Sequence, residues 1–343
     1  MPELRKDPVV GRWVIVSAER AFGPRAFGAA AQQAERQARS QQEEALCPFC
    51  PGREAGTPPE VLAYRAHGLP PNGPGWTVRV VPNKLPVLRV EGSLEREGVG
   101  LYDRMSGLGA HEVVIESSQH RVRLGDLAVG ELEQIVWAWR DRIHDLRRDF
   151  RLKYVLVFKN DGVVAGAPST HPHSQLIALP IVPRRVAEEL EGAKRYFAFR
   201  ERCVFCDMVR QELREGGRLI YENGGCVVFA PYAARFPFET WIVPKQHQAS
   251  FQDSPRQIFR QLGEALKVAL FKLDRALQQP AYSFTLHNAP FQDDRSESYH
   301  WHLEIMPALA AVTGFELGSG FYINPTPPEE SARYLREETP LGL

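Results

Sequence analysis

Apolar and polar positions alternate over Arg12-Trp-Val-Ile-Val-Ser17, and this period of two predicts a strand. Strands are also predicted at 76–81, 111–116 and 154–158, and another through 176–179. A Pro/Gly-rich passage, Gly68 to Gly75, leads into the first of these. Between His120 and Tyr154 the period changes. Leu127, Leu132, Ile135, Val136, Trp139, Ile143 and Leu146 recur at helical spacing and predict a helix with one buried face. Residues 29–45 are rich in Gln, Glu, Ala and Arg and have no apolar face, which predicts a solvated loop or a frayed helix.

The order then repeats. Strands are predicted at 226–230, 238–243 and 282–286, with a helix from about Pro255 to Leu277 before the last. Cys226 reads as a buried strand residue. Residues 180–185 and the amphipathic segment to Arg200 read as a linker. Strands separated by turns, with one helix per half, predict an α+β fold: a mainly antiparallel sheet carrying a helix on one face, built twice. The repeat divides the chain into 1–183 and 184–343.

The 343 residues suffice for two cores. Lys+Arg and Asp+Glu balance at 42 each, so no global field favours nucleic acid or an anionic membrane. An anionic substrate must therefore be held by a few local donors. There is no apolar run long enough to span a bilayer, and the N-terminal residues lack the apolar segment of a signal peptide. The cytoplasm is the expected location. Four of the five Cys lie in CxxC pairs, which in a reducing compartment read as metal ligands or redox pairs. No βαβ pattern surrounds either pair, which favours metal.

Each half carries the same chemical series: CxxC, a lone His, then His-x-His. The first is Cys47, Cys50, His120, His171 and His173; the second is Cys203, Cys206, His247, His300 and His302. Two Cys and two His form a tetrahedral zinc set, so the fifth group of each series is surplus. In an extended segment His171 and His173 point to one face. One imidazole can bind metal while its neighbour stays free as a nucleophile toward phosphorus. This assigns His173 to catalysis, with the alternative that both His bind metal. Gln175 shares that face, and its amide can donate to a phosphoryl oxygen without adding charge. In the second half Glu304 replaces the equivalent of Gln175, so His302 reads as degenerate and structural. Phe238 stands at the counterpart of His111 when the two are counted back from His247 and His120, which makes His111 a strand residue rather than a ligand. His287 reads as a satisfied loop histidine or as one approaching the substrate.

The chain resembles the galactose-1-phosphate uridylyltransferase family of the histidine-triad superfamily over nearly its whole length. The resemblance rests on Arg12 to Ser17 with Arg20, Cys47-x-x-Cys50, Pro82-Asn83, His120, Val157-Phe-Lys-Asn160, His171-Pro-His173-Ser-Gln175, and Pro237-Phe-Glu-Thr-Trp241 with Pro244-Lys-x-His247. It implies two fused half-barrel repeats, commonly a homodimer, and a double displacement. His173 would attack the α-phosphorus of UDP-glucose, and the nucleotidyl group would then pass to a second hexose 1-phosphate. By the same resemblance Gln175 and Arg20 contact phosphate and Asn83 and Asn160 contact the nucleotide. Cys47, Cys50, His120 and His171 hold structural zinc.

Departures from the family pattern matter for specificity. Two positions that hold a second metal in some members read Glu304 and Met306, which argues against an iron-type site. Instead Cys203, Cys206, His247 and His300 offer a second zinc set, as in the subgroup that includes ADP-glucose phosphorylase. Ser174 and the Tyr-Ile-Asn-Pro near the C-terminus are further marks of that subgroup. Glu316 matches the acidic hexose contact, but Tyr322 replaces a glutamine. Pro168 replaces a phosphate-contacting serine, with Ser169 adjacent. The expected function is hexose-1-phosphate uridylyl transfer in galactose metabolism. The alternatives are an ADP-glucose phosphorylase-like adenylyl transfer to phosphate, a non-catalytic zinc-containing nucleotide-binding module, and a nucleotide hydrolase.

Overall fold

A computed structural model describes residues 1–17, 43–167, 169–292 and 297–338. Arg20 and most of the 29–45 segment lie outside the described residues.

Ten strands form one antiparallel sheet. From the N-terminal half come β3 (Leu62–Arg65), β4 (Trp76–Pro82), β7 (Ala110–Ile115), β8 (Tyr154–Asp161) and β9 (His173–Leu179). From the C-terminal half come β10 (Leu219–Glu222), β11 (Cys226–Phe229), β12 (Thr240–Pro244), β13 (Tyr282–His287) and β14 (His302–Pro307). The order is β10-β11-β12-β14-β13-β8-β9-β7-β4-β3. Read outward from the middle, the two halves repeat strand for strand. They join where β8 pairs with β13, from Tyr282 opposite Asp161 to Leu286 opposite Val157. The architecture is the duplicated α+β arrangement that the hydrophobic pattern predicts.

Helices α1 (Val129–Leu146) and α4 (Arg256–Leu277) occupy corresponding places and pack on one face of the sheet. Their apolar stripes meet Val114, Leu176, Ala178, Val228, Ile242, Leu303 and Ile305, the strand positions that alternate toward them. The helices also touch each other. A Cβ at Gly263 of α4 would lie 3.0 Å from the Glu133 nitrogen of α1, so this approach requires glycine. Trp139 of α1 is fully buried and its Nε1 donates to Ser174 Oγ of β9 at 2.9 Å, tying helix to strand.

The opposite face differs between the halves. In the C-terminal half α2 (Arg184–Arg200) and α3 (Val204–Glu215) cover it, burying Val227, Phe229, Trp241 and Val243. In the N-terminal half the same face carries a small cluster of Trp76, Val81, Val113 and Ile115, with Phe49 packed against it. The amphipathic segment read as a linker is mostly helix. A small sheet joins the chain ends: β2 (Trp13–Val16) lies between β1 (Glu3–Lys6), its antiparallel partner, and β15 (Tyr322–Asn324), its parallel one.

Candidate active site and metal centres

The Cys47-to-Cys50 turn, the loop after β7 and the entry to β9 converge in the N-terminal half. The ligand atoms of Cys47, Cys50, His120 and His171 all lie within 4.8 Å of one another. Tetrahedral zinc with bonds of about 2.3 Å to sulfur and about 2.0 Å to nitrogen has S–N edges of roughly 3.6 Å and N–N edges of roughly 3.3 Å. The His120 and His171 Nδ1 atoms are 3.2 Å apart. The sulfur-to-nitrogen separations are 3.4 Å for Cys50 and His120, 3.6 Å for Cys47 and His171, and 3.7 Å for Cys50 and His171. The donor set thus has the size a tetrahedral ion needs.

The outer shell fits as well. His171 Nε2–H donates to the Ser117 carbonyl at 2.8 Å, leaving Nδ1 unprotonated toward the centre. His120 Nε2–H reaches Thr170 Oγ1 at 3.0 Å, and that hydroxyl donates to Glu43 at 2.8 Å. Burial pushes the Cys50 thiol up to about 12 and Cys47 in the same direction, so thiolates here need a cation beside them.

Cys203, Cys206, His247 and His300 form the second group, again within 4.8 Å. Cys206 Sγ lies 3.4 Å from His247 Nδ1 and 3.6 Å from His300 Nδ1. The local structure differs from the first group: Cys203 is the N-cap of α3 and Cys206 sits in its first turn, whereas Cys47 and Cys50 lie in a turn.

His173 stands outside the first metal group. It opens β9 on the face away from α1, opposite Ile115, with Gln175 opposite Val113. Its Nδ1–H donates to the His171 carbonyl at 2.8 Å, which leaves Nε2 as the lone-pair nitrogen, without a partner among the described residues. Burial, aided by the Lys159 charge, lowers its pKa to about 4, so the ring is neutral near pH 7. Phe49, from within the CxxC turn, packs 5.6 Å from the ring, centroid to centroid. Lys159 Nζ donates to the His173 carbonyl at 2.9 Å and pairs with Glu116 at 2.6 Å. This neutral, oriented imidazole, adjoining a closed ligand set, can act as a nucleophile.

The remaining expected contacts are arranged unevenly. Asn83 follows β4, and its Nδ2 lies 3.1 Å from His111 Nε2, which in turn lies 2.7 Å from Gln175 Oε1. Asn160 sits in β8 at the junction of the halves, where its Oδ1 accepts from Ser283 at 3.0 Å. Ser169 Oγ accepts from the His171 nitrogen at 3.3 Å, just before His173. Glu316 and Tyr322 make local contacts elsewhere. Glu316 caps the short helix α5 (Gly314–Ser319) through Thr313, and Tyr322 stacks edge-on with Phe236.

His302 reproduces the His173 hydrogen bond to the preceding histidine's carbonyl but is more deeply buried, 0% exposed against 8%. Its Nδ1 lies 3.2 Å from the His300 carbonyl, while the ring is fully buried and stacked against Trp241, Phe205 and His287. His287 is not in a loop; it ends β13, with Nδ1 2.8 Å from Glu189. Burial lowers its pKa, but the charges of Glu189 and Glu304 outweigh this and raise it to about 9. Glu189, His287 and His302 also form a compact buried trio that sequence spacing did not reveal.

His111 lies in β7, outside both metal groups, as expected. Its counterpart needs correction. Val113 opposes Gln175 and Trp241 opposes Glu304, so Glu239, not Phe238, matches His111. The chain between strand and lone His is one residue shorter in the second half, and counting back from the histidines hides this offset. Sequence reasoning also missed His111 as a neighbour of Gln175; its place two residues before Val113 in a strand was the available signal.

Fold and sites together define a duplicated α+β protein with a Cys2His2 group in each half. The models of the galactose-1-phosphate uridyl transferase N-terminal and C-terminal domains match residues 89–183 and 189–330. ADP-glucose phosphorylase of Arabidopsis thaliana is 38% identical, covering 98% of this chain and 93% of that protein. Galactose-1-phosphate uridylyltransferase of Thermotoga maritima is 29% identical over 98% of both. A crystal structure of the Arabidopsis thaliana ADP-glucose phosphorylase with bound ADP-glucose superimposes with a TM-score of 0.80 at 34% identity, covering 99% of each chain. The chain belongs to the galactose-1-phosphate uridylyltransferase family.

Proposed function

We propose that the chain is an enzyme that moves a nucleoside monophosphate from a nucleotide sugar to a phosphate-bearing acceptor through a covalent intermediate on His173. The observation that carries this is the His173 ring: Nδ1–H held by the His171 carbonyl, and Nε2 left without a partner among the described residues. In the first step Nε2 attacks the α-phosphorus. A P–N bond forms, the P–O bond to the sugar phosphate breaks, and sugar 1-phosphate leaves with the electron pair. The Nδ1 hydrogen bond stabilises the positive charge the imidazole acquires. In the second step a phosphate oxygen of the acceptor attacks the same phosphorus and His173 leaves as neutral imidazole.

Gln175 donates to the α-phosphoryl oxygens, while Asn83, Asn160, Ser169 and Arg20 serve the nucleotide and phosphates. Glu316 and Tyr322 serve the sugar. Zinc held by each Cys2His2 group would clamp sequence-distant segments; in the first group it would also fix His171, whose carbonyl orients the nucleophile. The repeat of residues 1–183 supplies the nucleophile and that of 184–343 the second metal group. A homodimer in a reducing, cytoplasmic setting completes the reading. No helix among the described residues is long and apolar enough to cross a membrane.

The adenosine reading, ADP-glucose with phosphate as acceptor, draws on the 38% identical relative and on the second Cys2His2 group. The uridine reading, UDP-glucose with galactose 1-phosphate, draws on the family relatives such as that of Thermotoga maritima. Incubation with α-32P-labelled ADP-glucose and UDP-glucose, each with phosphate or galactose 1-phosphate, separates them. Acid-labile label on the wild type and none on His173→Ala is the expected result. Reaction of neither nucleotide sugar with either acceptor refutes the proposal.

A further inference from the structure

Three polar groups meet at His111, which the reaction as described does not use. Val87 N–H points at His111 Nδ1 across 3.3 Å. A backbone amide can only donate, so Nδ1 is the unprotonated nitrogen and Nε2 carries the hydrogen. Nε2–H then donates to Gln175 Oε1 at 2.7 Å. This occupies the carbonyl oxygen of Gln175 and directs its NH2 group away from the ring. Asn83 is fixed similarly: its Oδ1 accepts from the Leu85 nitrogen at 2.9 Å, which places Nδ2 3.1 Å from His111 Nε2. With Nε2 protonated, that nitrogen cannot accept from Asn83. Among the described residues, neither amide NH2 then has an acceptor.

We infer that His111 is a positioning residue that orients the Gln175 amide so that the NH2 groups of Gln175 and Asn83 together face a phosphoryl group at His173. The inference rests on the proposed nucleotidyl transfer. The second half supports the placement independently. The positions matching His111 and Gln175 are Glu239 and Glu304, and both bind one side chain: Arg235 Nη2 lies 2.8 Å from Glu239 and 2.6 Å from Glu304. The two positions are thus neighbours in both halves. Where the nucleophile is sealed away, a charge clamp replaces the histidine–glutamine pair.

Without His111 the Gln175 amide is free to flip, and its oxygen would repel the phosphoryl oxygens. The test compares His111→Gln, whose amide nitrogen can stand in for Nε2, with His111→Asn, whose shorter amide cannot reach it. Steady-state transfer and single-turnover labelling of His173 are the readouts. His111→Asn should slow kcat by about 10- to 100-fold with KM for the nucleotide sugar changed less than about 3-fold, whereas His111→Gln should recover most of the rate. Because His111 acts through Gln175, adding His111→Asn to Gln175→Ala should slow the enzyme no further. Equal rates for His111→Asn and wild type overturn the inference. So does an equal loss in His111→Gln, or a further loss on the Gln175→Ala background. Unfolding of both His111 variants would also overturn it, by marking a structural residue. Absence of transfer by the wild type would instead refute the functional reading.

Discussion

Lys159 and Glu116 form an ion pair sealed beneath β9, and replacing the lysine alone should destabilise the protein more than replacing both. The charged atoms are 2.6 Å apart and the side chains are 1% and 0% exposed. At an effective dielectric near 20, charges that close attract by about 6 kcal/mol. Removing two ions from water costs several kcal/mol each, so the intact pair contributes little net stability. Lys159→Met deletes the attraction and leaves the burial cost of the carboxylate, a loss of about 3–5 kcal/mol near pH 7. Lys159→Met with Glu116→Leu removes both charges and should return to within about 1–2 kcal/mol of the wild type. Burial already raises the Glu116 pKa against the pull of Lys159, and without the lysine it rises further. The folded state then keeps a proton that the unfolded chain releases, so stability falls as pH rises above the ordinary carboxylate range. The deficit of the single variant should therefore be smaller near about pH 5 than near about pH 8. Urea unfolding of metal-loaded protein, followed by tryptophan fluorescence, measures each value. A single variant as stable as wild type, or a double variant as unstable as the single, refutes the reasoning.

Cys50→Ser and Cys206→Ser should each lower zinc content from two ions to one per chain and lower the Tm; unchanged metal by mass spectrometry would contradict the assignment. The raised pKa of His287 predicts stability that is fully present below its unfolded value of 6.5 and lost as pH rises through about 9. The shift is worth about 3 kcal/mol, and a His287→Gln variant with the wild-type slope between pH 7 and 10 in urea titrations would exclude it. His302→Ala should cost about 2–4 kcal/mol by emptying the stack between Trp241 and Phe205, yet leave transfer within about 3-fold of wild type. A total loss of transfer in folded protein would make His302 catalytic.

The sheet was legible where burial is periodic. The strand at Tyr282 and both long helices carry one apolar side each, and that period locates them within a few residues; the strands at Trp76, His111 and Tyr154 bury apolar side chains on both faces and stand out as short apolar runs. Elements without such a face were missed. The hairpin of β5 (Arg96–Val99) and β6 (Tyr102–Met105) is almost wholly exposed, so no apolar period marks it. β15 has three residues and is held by parallel pairing with β2, a contact that local sequence does not encode. Helix α3 is not predicted, because the CxxC in its first turn marks that segment as a metal-ligand pair rather than as an apolar period. The donors of both metal groups were visible from residue type and spacing. The His111–Gln175 contact was not, since it depends on which residues of two strands stand opposite each other, and a one-residue difference between the halves obscured that register.

The contrast between the halves separates the roles proposed for metal and nucleophile. Both contain a Cys2His2 group of matching size, and in both the histidine two residues beyond the last ligand points its Nδ1 at that ligand's carbonyl. If the metal group alone created a reactive imidazole, both halves would have one. They diverge in what covers the face: α2 brings Glu189 and α3 brings Phe205 to His302, with Tyr299 added from the segment before β14, whereas Phe49 flanks His173. The segment read as an amphipathic linker thus helps to cover this face of the second half while connecting the halves. Charge diverges in parallel, because a neutral glutamine beside His173 can donate to an anion, whereas Glu304 beside His302 would repel one and is bound to Arg235. On the proposed reading, metal held by each Cys2His2 group would shape both repeats, and the chemistry would belong to the repeat whose imidazole keeps slight exposure, 8% against 0%, and a neutral donor.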